Sequence, residues 1–66
     1  MYEMAIVKLE EMLEEFAGVK VFKDVLMMFR LWCYDNIVNP ITAGEVYETV
    51  ISLVIEARYF SNLERE

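Results

Sequence analysis

Residues 9–30 read LEEMLEEFAGVKVFKDVLMMFR. On a helix each residue advances by about 100°, so Leu9, Met12, Leu13 and Phe16 share one side of the first half. Carried forward through Gly18, that side would hold Lys20, Lys23, Met27 and Arg30. Those residues belong to the polar side of the second half, where Phe22, Val25, Leu26 and Phe29 lie opposite them. The apolar phase therefore inverts by roughly half a turn across Gly18. A chain that reverses at Gly18, with the glycine in the left-handed conformation that ends many helices, returns both stripes to one core. An unbroken helix would need two partners on opposite faces.

Working outward, three segments of helical period emerge. In the first, Tyr2, Ala5, Ile6, Leu9, Met12, Leu13 and Phe16 recur at steps of three and four, with Glu3, Lys8, Glu10, Glu11, Glu14 and Glu15 on the other side. The second is apolar nearly all round. Phe22, Val25, Leu26, Phe29, Trp32 and Cys33 form its main stripe; Met27, Leu31, Tyr34 and Val38 form another on the opposite side, between Lys20, Lys23, Arg30 and Asp35. Pro40 ends this segment by forcing Asn39 out of the helical region. The third opens at Thr42-Ala43-Gly44-Glu45, which fits a capping box with Ile41 and Val46 as its hydrophobic staple. Ala43, Val46, Tyr47, Val50, Ile51, Leu53, Val54 and Ala57 then make a wide apolar face. Beyond Ala57 the core phase falls on Arg58, Ser61 and Arg65, so the pattern decays and the last residues should fray. The reading is a single all-α domain over 1–66, with three antiparallel helices at about 2–17, 20–38 and 42–60.

Composition bears on whether such a domain stands alone. The chain is 66 residues long, 58% hydrophobic and 27% charged, with a net charge of −6, one cysteine and no histidine. It is too apolar for a disordered chain. Domains near this size bury only about 60% of their unfolded surface and are marginally stable. Cys33 has no partner for an intrachain disulfide, and no metal-ligand cluster is apparent. A small scaffold without staples commonly completes its core by oligomerising, and two-fold dimers are the commonest closed form. Homo-oligomerisation is thus expected to complete the bundle, with Met27, Leu31, Tyr34 and Val38 as the oligomer interface. Met1-Tyr2-Glu3-Met4 lacks the features of a signal peptide. The longest uncharged run, Asn36 to Gly44, is far short of the roughly 20 residues a bilayer span needs. A cytoplasmic protein without membrane contact is expected.

The residues that carry chemistry are few. Without histidine, His-based catalysis and ligation are excluded. Cys33 has no base to activate it and reads as a core thiol; Ser52 and Ser61 likewise lack a base. The acidic cluster Glu10, Glu11, Glu14 and Glu15 reads first as a solvated face and second as a docking face for a basic partner. Glu11-x-x-Glu14 and Glu45-x-x-Glu48 are carboxylate pairs one turn apart, a spacing able to hold a hard cation. They are similar to the paired acidic motifs of all-helical nucleotide pyrophosphatases, so a metal-dependent hydrolase assembled across subunits is an alternative. Trp32 and Phe29 read as core. The scattered Lys8, Lys20, Lys23, Arg30, Arg58 and Arg65 give little basis for phosphate binding, and a DNA-binding regulator is a further alternative. The favoured expectation is a small acidic interaction module, without cofactor or catalytic residues. It associates with itself and with another protein, as a regulator, adaptor or inhibitor.

Overall fold

A computed structural model describes residues 1–65, with side chains described for residues 1–58. Its secondary structure is wholly helical among the described residues: α1 spans Tyr2–Glu15, α2 Phe22–Asn36 and α3 Pro40–Arg65. All three pairs of helices pack against one another. The molecule measures 41 × 23 × 16 Å. At about 1.5 Å per residue α3 is about 39 Å long, so this helix alone sets the long axis.

The break at Gly18 is where the phase inversion places it. Gly18 has φ +75°, a left-handed conformation that costs a residue with a Cβ about 1–2 kcal/mol. α1 ends slightly earlier than expected, with Phe16 as its C-cap. The turn is closed by the Phe16 carbonyl, which accepts from the N–H groups of Val19 (3.0 Å) and Lys20 (3.1 Å). Lys20 Nζ then lies 5.5 Å from the centroid of the Phe16 ring, a cation–π contact spanning the same turn.

The next boundary differs from expectation at both ends of its link. α2 stops at Asn36, because Ile37 is already extended (φ −115°, ψ 118°). The Asn36 side chain donates from Nδ2 to the Trp32 carbonyl at 2.8 Å. Val38 therefore lies beyond the helix rather than on its stripe. α3 begins at Pro40, not Thr42. Asn39 Oδ1 accepts from the backbone N–H groups of Ile41 (2.9 Å) and Thr42 (3.3 Å), which makes Asn39 the N-cap. Pro40 takes the first helical position, where its missing N–H costs nothing and its fixed φ suits the helix. Pro40, expected to end α2, thus starts α3 instead, and α2 has already ended at Asn36. At the far end the helix continues to Arg65 rather than stopping near 60, since no Gly or Pro follows Gly44 to break it. Ala57 and Arg58 are exposed; Ser61 and Arg65 lie outside the residues whose side chains are described.

One narrow stripe from each helix forms the core. α1 contributes Ala5, Leu9 and Met12; α2 contributes Val25, Phe29 and Cys33; α3 contributes Ala43, Val46, Val50 and Val54. Phe29 is the largest fully buried side chain, with Trp32 at 6.0 Å and Tyr47 at 5.9 Å between ring centroids. Ile6, Leu13, Phe16, Leu26 and Ile51 pack around this cluster, half-buried.

Asn39→Ala should lower stability by about 1 kcal/mol, or roughly 4–8 °C in melting temperature for a domain of this size. Thr42→Ala should leave the melting curve within about 0.5 kcal/mol of wild type. The reverse order in calorimetry would return the cap to Thr42.

Candidate functional site

α2 faces two ways. Its inward stripe is filled by Val25, Phe29 and Cys33. On the opposite side Met27, Leu31 and Tyr34 are 57%, 65% and 41% exposed, and Val38 just beyond the helix is 101% exposed. None of the four is buried within the chain, so α2 carries apolar surface on the side that α1 and α3 do not cover. Ile41 in the first turn of α3 is exposed as well and extends this apolar corner beyond Val38 in sequence. Tyr34 reaches across to α3. Its hydroxyl lies where a Cβ on Gly44 would come within 3.1 Å, so the glycine leaves room for the tyrosine to lean over α3. The Arg30 guanidinium stands 5.6 Å from the Tyr34 ring centroid and borders the stripe.

A second apolar surface runs between α1 and α2. Met4 and Val7 from α1 meet the half-buried Trp32 of α2 in a shallow groove edged by Glu3, Lys8 and Glu11. An adjoining depression adds Met1, Asn36 and Ile37. The sequence reading placed Trp32 in the core and assigned nothing to Met4 and Val7. At about 100° per residue Val7 falls between Glu14 and Glu11 and Met4 between Glu11 and Glu15, so the apolar periodicity of α1 carries no signal for them.

The acidic face of α1 meets the groove at Glu3 and Glu11. Glu10, Glu11, Glu14 and Glu15 are exposed along α1, and Glu45 and Glu48 are exposed on α3. Within one subunit the described residues bring together no group of three or more Asp, Glu, Cys or His side chains able to hold a metal ion. Among the basic residues Lys20, Lys23, Arg30 and Arg58 are exposed and Lys8 is half-buried. Cys33 is fully buried, and loss of solvation pushes its thiol above the ordinary range. A thiol so placed is held in its unreactive form. No helix among the described residues is long and apolar enough to cross a membrane.

No protein-family model matches the chain, no curated protein matches it and no solved structure matches it. The functional reading therefore rests on the surfaces themselves.

Burial makes a direct test of the core available. Cys33 should resist a thiol-reactive dye at mildly alkaline pH while the chain is folded and react on unfolding in guanidinium. Rapid labelling of the native chain would show that the core opens readily around α2.

Proposed function

We propose that this chain is a small acidic helical interaction module, acting in the cytoplasm, that pairs with a second copy of itself and binds another macromolecule. Its role in that reading is regulatory, as an adaptor or inhibitor, and non-catalytic. The observation that carries the proposal is the exposed stripe of Met27, Leu31 and Tyr34 directly behind the core face of α2. Among the described residues, fourteen large hydrophobic side chains are exposed, against ten buried hydrophobic ones, a surplus that a lone domain leaves in water. Fully burying a side chain such as Leu or Met contributes about 1.5–3 kcal/mol, and a two-fold pair would count each such contribution twice.

Within each subunit we read the helices as running up, down and up. Support comes from neighbours across the bundle: Tyr34 beside Gly44, Phe29 beside Tyr47, and Trp32 in a groove with Met4. In that order the α1–α2 groove and the stripe lie on different sides of α2. Self-association through the stripe then leaves the Trp32 groove and the acidic face of α1 available to the other partner. An apolar surface with a charged rim is the usual construction of an association surface.

Light scattering on a sizing column tests the self-association. The expected mass is twice the 7.8 kDa of the chain at roughly tens of micromolar, where a useful dimer is populated by mass action. Leu31→Glu should bring the mass down to that of one chain or unfold it, because two desolvated carboxylates would face each other. Glu14→Lys, on the acidic face, should leave the mass unchanged. A wild-type mass of one chain contradicts the reading.

A further inference from the structure

The charges of α2 are sorted by sign about its exposed stripe. The helix carries four charged residues, Lys23, Asp24, Arg30 and Asp35. Met27, Leu31 and Tyr34 are spaced by four and three, the alternation of a coiled-coil seam. At about 100° per residue, Lys23 and Arg30 fall along one edge of that seam and Asp24 and Asp35 along the other. The fold gives each edge a distinct neighbour. The basic edge is on the α3 side, since Arg30 stacks over Tyr34 and Tyr34 leans to Gly44. The acidic edge is on the α1 side, the side on which Trp32 meets Met4 and Val7.

We infer that a second copy packs on α2 in parallel, with the two-fold axis running along the helices, and that Arg30 pairs with the partner subunit's Asp35 on both sides of the seam. The inference rests on the stripe being a self-association surface, as proposed above. It follows from symmetry. A two-fold axis along the helices sets the basic edge of each α2 against the acidic edge of the other. Residues of opposite edge, five apart in sequence, are those that salt-bridge across a parallel pair, and Arg30 and Asp35 have that separation. A two-fold axis across the helices does the reverse, setting the basic edge of Lys23 and Arg30 against its own copy and the acidic edge of Asp24 and Asp35 against its own. It would also bring both α1 helices to one side of the pair, each with five glutamates against one lysine. Like charges so juxtaposed oppose association. For a chain of net charge −6, the parallel arrangement is the one whose contact region is self-complementary. The core stripe of α2 points directly away from the seam, so α1 and α3 of each subunit sit behind it and do not obstruct the approach.

A charge-swap cycle and a cross-linking pair test this on the full chain. Arg30→Asp and Asp35→Arg each replace two ion pairs by two like-charge contacts, and each should raise the dimer dissociation constant about tenfold. The double swap should return it to within about threefold of wild type. Circular dichroism confirms that the variants, all at exposed positions, remain helical. Met27→Cys and Tyr34→Cys, made separately, should each oxidise to a covalent dimer, because a parallel seam puts both positions opposite themselves. Wild type, with only the buried Cys33, serves as the control and should not cross-link. In a pair running in opposite directions, at most one of the two positions can lie on the axis. A wild-type chain that is monomeric by light scattering overturns the self-association itself. A dimer in which neither single swap weakens association, or in which only one cysteine variant cross-links, keeps the dimer and overturns the parallel arrangement.

Discussion

Three helices of 14, 15 and 26 residues enclose room for one narrow stripe from each, and the rest of the molecule follows from that limit. Phe29 and Leu9 fill the centre, Val46 and Val50 close it from α3, and the core ends at Val54 among the described side chains. A helix in such a bundle has one face inside. α2 has two apolar faces, so one of them must lie outside whatever the details of packing. The exposure of Leu31 is the direct result of Phe29 and Cys33 occupying the interior. No rotation of α2 buries both faces against α1 and α3, because the two are half a turn apart.

Much of this was legible in the residues. The inversion of apolar phase at Gly18 depends only on helical geometry and on the one residue type that takes positive φ without strain, and the backbone there has φ +75°. The four-residue steps that predict the core, Ala5 to Leu9 on α1 and Val25 to Phe29 to Cys33 on α2, select side chains that are buried. The boundaries near Pro40 were harder to read, because two start signals compete within four residues. Thr42-Ala43-Gly44-Glu45 has the pattern of a capping box, while Asn39-Pro40 has a cap and a proline suited to the first turn. The chain uses the earlier pair, since Asn39 Oδ1 reaches two backbone N–H groups and Pro40 needs none. Starting α3 there shortens the link to Ile37–Asn39 and puts Val38 outside both helices. The Trp32 groove was hidden for a different reason. Periodicity separates an apolar side from a polar one, and Met4 and Val7 stand among the glutamates of α1, so their meeting with Trp32 depends on how α1 and α2 cross.

Charge is distributed as unevenly as apolar surface. Five of the acidic residues lie on α1 against a single lysine, whereas α2 balances two basic with two acidic residues. In an acidic chain, the helix with no net charge is the one that a second copy can approach with least repulsion. The proposed seam on α2 and the Trp32 groove beside α1 thereby divide the labour, the first self-complementary and the second apolar with a mainly acidic rim. Surfaces built this way suit a protein whose work is done by contact. Cys33 is buried with its thiol disfavoured as thiolate, and the sequence holds no histidine.

The central claim is that folding and pairing of this chain are coupled through the outer face of α2. The dependence of melting temperature on chain concentration tests it most directly, because any partner that binds only the folded state raises stability by mass action. Scanning calorimetry over roughly a hundredfold range of concentration should show the midpoint rising with concentration. A midpoint that stays constant across that range would contradict the account and leave α2 with an apolar face turned permanently to water.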